Sequence, residues 1–217
     1  PESGVGRAFA ALGGTNRHIG VVGLGAGTLA AYGQPGDRIR FYEINPDVEL
    51  AARRHFSYLS RSAAAVTVVL GDARLSLERE PPQEFDLLVL DAFNSDAIPI
   101  HLLTREAFEL YERHLKADGV LAAHISNMSL DLEPVVLRLA AEGGWTAAVI
   151  EQPRTDYEAG ILPSIWVLLA KQPDFVQRPA VREAAKPGPL AAAGPLTDQR
   201  GRRPAISAAV WRSGAST

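Results

Sequence analysis

Short apolar runs of strand length recur through the first 170 residues, separated by segments with helical spacing. Residues 18–22, 39–44, 66–70, 86–90, 119–125, 146–150 and 164–170 read as seven strands. Most are continuous apolar runs, as strands covered on both faces require. Between them the chain carries helix signals. Asn45 is placed to cap a helix from Pro46 to Phe56, with the proline in the first turn, where a missing N–H costs little. Thr104 opens a second, to Leu115, which sets Ala107, Leu110, Tyr111 and Leu115 on one face. A third, Leu130 to Glu142, stops at Gly143-Gly144. This alternation predicts an α/β fold, a doubly wound sheet of seven strands, with Tyr111 and Trp145 as core aromatics. Residues 171–217 differ: rich in Pro, Ala and Gly with only short apolar clusters, they are expected to form a loose extension. The expected organisation is a remnant of an upstream region over 1–17, one domain over 18–170, and the extension.

Composition narrows the chemistry. The 217 residues suit one domain with a full core. With no cysteine, disulfides, thiolate metal sites and cysteine nucleophiles are excluded. The five histidines, His18, His55, His101, His114 and His124, show no metal-binding spacing, so no metal is expected. No apolar run reaches the roughly 20 residues that span a bilayer, and a soluble, cytoplasmic domain is expected, cut from something longer because it starts at Pro1. The net charge of −3 is unevenly placed: 22 acids face 14 bases over residues 1–170, against 3 and 8 over 171–217. An acidic body disfavours a nucleic acid partner. It suits a small cationic substrate, although a solvated acidic surface with a basic tail accounts for the same numbers.

The first strand candidate runs into Gly23-Leu24-Gly25-Ala26-Gly27-Thr28, and the second ends in Glu43, twenty residues after Gly23. Glycines let a backbone approach a ligand closely, and an acid at that distance can accept hydrogen bonds from two ribose hydroxyls. The dinucleotide pattern places its third glycine three residues after the second; here Gly27 comes one residue early, and no Lys-Ser/Thr pair follows as in a P-loop. The loop therefore fits a nucleoside without a phosphate, such as an adenosyl sulfonium compound, better than a dinucleotide or ATP.

Ligands of open α/β sheets lie outside the carboxyl ends of the strands. Those ends carry the glycine loop, Glu43, Gly71-Asp72-Ala73, and Asp91-Ala92-Phe93-Asn94-Ser95-Asp96. Each has a structural alternative: the glycines as a tight turn, Glu43 and Asp72 as helix-terminal acids, Asp91 and Asp96 as turn residues. Their shared edge and order favour a site. Two carboxylates beside a nucleoside pocket can hold an ammonium group, and one can take its proton. His101 is an alternative base, and a surface or core histidine is the reading favoured over that role.

The set Gly23-Leu24-Gly25-Ala26-Gly27, Tyr42-Glu43-Ile44-Asn45-Pro46, Gly71-Asp72-Ala73-Arg74 and Leu90-Asp91-Ala92-Phe93-Asn94-Ser95-Asp96-Ala97-Ile98-Pro99 resembles the spermidine synthases. It is most similar to the spermidine synthase-like domain fused behind a membrane transporter-like region in some bacterial proteins, over roughly residues 3–170. The resemblance implies a Rossmann-like class I methyltransferase fold, mostly parallel with an antiparallel edge strand near the end. It implies a polyamine aminopropyltransferase that uses decarboxylated S-adenosylmethionine as co-substrate and a diamine such as putrescine as acceptor, and frequent homodimers. Gly23, Gly25 and Gly27 then line the nucleoside, Glu43 holds the ribose, and Asp72 with Ala73 reaches the adenine. Asp91 deprotonates the amine and Asp96 holds it, although Asn94 stands where the family has its second acid. The family's N-terminal hairpin is reduced to a tail within residues 1–17. Two other readings stay open: a methyltransferase using S-adenosylmethionine on a small molecule, and a non-catalytic nucleoside-binding domain of a larger membrane protein.

Overall fold

The computed structural model describes residues 2–93, 98–127, 130–156 and 161–187. Seven strands, β1 (His18–Val22), β2 (Arg38–Glu43), β3 (Ala65–Leu70), β4 (Phe85–Leu90), β5 (Leu115–His124), β6 (Thr146–Gln152) and β7 (Ser164–Ala170), form one sheet in the order β3-β2-β1-β4-β5-β7-β6. β3, β2, β1, β4 and β5 pair in parallel. β7 is the antiparallel strand; it pairs with both β5 and β6, so β6 forms that edge of the sheet. Strand order reverses between β1 and β4, which opens a crevice at their carboxyl ends.

Burial follows position in the sheet. Every residue of β1 and all but Asp86 of β4 are buried, whereas the edge strand β3 runs exposed and half-buried. One face is covered by α1 (Gly4–Leu12), α2 (Pro46–His55), α3 (Tyr58–Arg61) and two later short helices; the other by α4 (Ala73–Arg79), α5 (Arg105–His114) and α6 (Glu133–Glu142). The expected caps are in place: the Asn45 side chain accepts from Asp47 N–H and that of Thr104 from Ala107 N–H. α6 starts at Glu133 rather than Leu130, with Pro134 in its first turn, the position a proline favours. β5 begins earlier than its apolar run, because Leu115 pairs with Phe85 before a register shift brings Val120 opposite Leu87. Tyr111 and Trp145 are buried core aromatics. Among the described residues no helix is long and apolar enough to cross a membrane.

Two regions outside the central pattern are built into the fold. α1 lays Val5, Ala8 and Phe9 on the sheet, and Arg17 behind it closes a buried ion pair with Asp37. Burial alone would raise the Asp37 carboxyl, but hydrogen bonds from the Arg17 side chain and from Gln34 and Arg17 N–H outweigh it and hold it below its ordinary value. At the other end, residues 171–187 differ from the loose extension that composition implies. α7 (Asp174–Gln177) and α8 (Pro179–Arg182) bury Phe175, Val176 and Val181 against the core of the α1 face. Burying such side chains is worth about 1.5–3 kcal/mol each, enough to fix a short segment. Lys186 N–H then donates to Val149 O at 2.8 Å, tying the segment to β6.

Candidate functional site

The carboxyl edge of the sheet carries the predicted stations in order, and main-chain hydrogen bonds link them. Gly23 N–H donates to Tyr42 O, Gly71 N–H to Glu43 O and Asp91 N–H to Val22 O, at 2.8–2.9 Å. The first residue beyond each of β1, β3 and β4 is thus fixed by the end of a neighbouring strand. Gly23 (φ 95°), Gly25 (φ 54°) and Gly27 (φ 79°) all have positive φ, which glycine adopts at no steric cost. They differ in surroundings. A Cβ on Gly23 would lie 2.4 Å from Asp91 O, and one on Gly27 2.8 Å from Leu59 Cδ2, whereas one on Gly25 meets nothing within 4 Å. Gly23 and Gly27 are spacers for the fold; Gly25 is the exposed glycine of the loop, with open space beside its backbone. From Gly27 the chain enters a 3-10 turn, Thr28–Tyr32, and no α-helix follows the loop. The loop lacks the long helix dipole on which a pyrophosphate sits.

Glu43 is buried at the end of β2 and fastens the loop: Oε2 accepts from Leu24 N–H at 3.0 Å and Oε1 from Asn45 N–H at 2.9 Å. A carboxylate has about four lone-pair sites, so capacity for a ligand remains on both oxygens. Beside it, burial pushes the Tyr42 phenol well up, and its hydrogen bond to Glu80 adds to this, so it stays a neutral donor.

Asp72 serves as the N-cap of α4, with Oδ1 accepting from Leu75 N–H at 2.9 Å, while Oδ2 lies 3.5 Å from His101 Nε2. Ala73 is buried behind it. His101 is half exposed and sits against Asp72, not beside Asp91. Asp72→Ala is expected to cost about 1 kcal/mol through the lost cap, and Asp72→Ser to restore it. Thermal unfolding with nucleoside titration on both variants separates the roles: an affinity loss that Ser does not restore belongs to a ligand contact.

Asp91 lines a cavity of about 740 Å³ on the α1 face, together with Thr28, Phe93, His124, Ser126 and Trp166. Val89↔Ala122 and Leu90↔Ala123 register β4 with β5, which places Asp91 beside His124. Asp91 Oδ1 lies 2.7 Å from His124 Nδ1, His124 Nε2 lies 2.9 Å from Ser126 Oγ, and Ile165 N–H donates to the same Oγ at 2.8 Å. The imidazole stacks on Trp166, its cross-strand partner, at 4.3 Å and 8°, and meets the edge of Phe93 at 4.8 Å. Asp96, the other acid predicted for this loop, lies outside the described residues.

The glycine loop thus touches Glu43 through Leu24 N–H and Asp91 beside Gly23, and Asp72 lies further along the same edge. Sequence reasoning missed His124, Ser126 and Trp166. A signal existed: His124 closes β5 on the edge where the other four stations end.

No family model matches the chain. Over 114 residues, 50% of its length, it is 34% identical to the polyamine aminopropyltransferase of Vibrio vulnificus, and the match spans 38% of that protein. A spermidine synthase solved in complex with the transition-state analogue AdoDATO superposes with a TM-score of 0.62 at 20% identity, over 82% of this chain and 64% of that one. Human methyltransferase-like protein 13 in complex with SAH superposes with a TM-score of 0.59 at 17% identity, over 82% of this chain and 88% of that one. The chain is similar in sequence to a polyamine aminopropyltransferase, and its fold is the class I methyltransferase-like fold, shared by both kinds of transferase.

Proposed function

We propose that the chain is a spermidine synthase-like aminopropyltransferase domain, which moves an aminopropyl group from decarboxylated S-adenosylmethionine to a diamine such as putrescine. The observation that supports this best is Asp91, a carboxylate on the wall of a 740 Å³ cavity, in contact with the glycine loop of a nucleoside crevice. In this reading Gly23, Gly25 and Gly27 line the nucleoside, Glu43 holds the ribose hydroxyls, and Asp72 and Ala73 border the adenine. Asp91 takes a proton from the acceptor ammonium, with Asp96 holding the diamine. The freed nitrogen lone pair attacks the propyl carbon, the carbon–sulfur bonding pair returns to sulfur, and methylthioadenosine leaves. The protein's part is orientation and a local base. On the resemblance alone we further propose a cytoplasmic domain behind an upstream membrane region, and a homodimer.

A second reading, methyl transfer from S-adenosylmethionine itself, uses the same fold. The two donors differ by one carboxylate, which Asp91 disfavours as a like charge. Calorimetry on the full chain is expected to show decarboxylated S-adenosylmethionine or methylthioadenosine binding about tenfold tighter than S-adenosylmethionine, a difference of about 1.4 kcal/mol. Equal or tighter binding of S-adenosylmethionine counts for methyl transfer. Binding without turnover of either donor, against a panel of amines, leaves a nucleoside-binding domain.

A further inference from the structure

Resting on the proposed amine-transfer reading, we infer that His124 is the positioning residue of the site, holding Asp91 in a single orientation through its Nδ1–H. The carboxylate fixes the hydrogen on the nitrogen that faces it. Ile165 N–H donates to Ser126 Oγ at 2.8 Å, which leaves the hydroxyl one lone pair and its own hydrogen, so Ser126 can pair with His124 Nε2 at 2.9 Å whichever of the two carries the hydrogen. Asp91 Oδ1, 2.7 Å from Nδ1, can only accept, so Nδ1 carries a hydrogen and donates it. The opposite tautomer would set a bare Nδ1 lone pair against a carboxylate at that distance, which is repulsive.

The ring is held on several sides. Trp166 covers one face in a parallel stack, Phe93 stands edge-on, and Ser126 and Asp91 hold the two nitrogens. Trp166 is locked in turn, because it lies beneath Gly4 of α1, where a Cβ would come within 2.3 Å of Trp166 Cβ. Among the described residues Asp91 is the one charged group hydrogen-bonded to the imidazole. The arrangement therefore ties one carboxylate oxygen and leaves a side chain 30% exposed to serve the cavity. A base held in this way spends no rotamer freedom in reaching the acceptor nitrogen. Ser126 belongs to the ring's mounting: its oxygen is pinned by Ile165 N–H.

Two measurements on the full chain test the role of His124. In the first, methylthioadenosine release is assayed with decarboxylated donor and diamine. His124→Ala is expected to lose turnover about tenfold to hundredfold, as removal of orienting partners does, with methylthioadenosine affinity unchanged within about twofold. His124→Asn puts an amide N–H near the place of Nδ1–H and is expected to recover most of the loss. Unchanged turnover in His124→Ala, or an Asn variant as impaired as Ala, overturns the inference. The second measurement needs no turnover: ¹⁵N spectra of the ring are expected to show a protonated Nδ1, lost in Asp91→Ala. The Nε2–H tautomer overturns the inference whatever the activity. If no amine releases methylthioadenosine while the Nδ1–H tautomer is present, the proposed reaction fails and the positioning of Asp91 by His124 stands.

Discussion

Asp91→Asn is expected to abolish amine-dependent release of methylthioadenosine, by about 10²- to 10⁴-fold, the usual contribution of a positioned general base. The substitution preserves shape. The amide oxygen can still accept from His124 Nδ1–H, and Asp91 N–H still donates to Val22 O, so the β4 end stays where it is. What is lost is chemical: the amide group turned to the cavity cannot accept a proton from an ammonium and no longer attracts one. Nucleoside affinity should stay within about threefold, because the contacts expected to hold the nucleoside come from the glycine loop and Glu43. The check is turnover and methylthioadenosine titration on one preparation. Unchanged turnover removes Asp91 from the chemistry, whereas parallel loss of affinity and turnover makes it a structural residue of the loop.

The residues whose roles were legible in sequence are those set by local rules. The strands covered on both faces read as apolar runs because a polar side chain there costs free energy unless it finds a partner; Asn45 and Thr104 read as caps because the orphan N–H groups of a helix start need an acceptor within three residues. Glu43 lies at the end of a recognisable strand, so its edge follows from topology. His124 and Trp166 were not legible in this way. Their stack depends on β7 running antiparallel beside β5, a pairing across 42 residues in which sheet position, not composition, decides who meets whom. The docking of α7 and α8 escaped for a different reason. Four residues are too few to show a helical period, and what holds them is the contact of Phe175, Val176 and Val181 with a core built elsewhere.

Gly23→Ala is expected to be the most damaging single-methyl change in the loop, and Gly25→Ala its control. At Gly23 two costs combine. A φ of 95° is unfavourable for any side-chain-bearing residue, by about 1–3 kcal/mol. The added Cβ would also lie 2.4 Å from Asp91 O and 2.8 Å from Asp91 C, which are backbone atoms and cannot rotate away. Relief requires the β4 end to move, and that breaks either Asp91 N–H to Val22 O or Gly23 N–H to Tyr42 O. A loss above about 3 kcal/mol follows, a fall of about 1 M or more in the urea midpoint for a slope of about 1–3 kcal/mol per M. At Gly25 the strain of a left-handed residue remains, about 1–2 kcal/mol, but the space is open. Gly25→Ala should therefore fold, with a smaller midpoint shift, and, in the proposed reading in which Gly25 lines the nucleoside, lose nucleoside affinity by about tenfold or more. Urea unfolding and methylthioadenosine calorimetry on the pair decide the matter. Equal destabilisation of the two variants would show that the strand-end contact between Gly23 and Asp91 is not what holds the loop, and unchanged affinity in Gly25→Ala would move the nucleoside away from it.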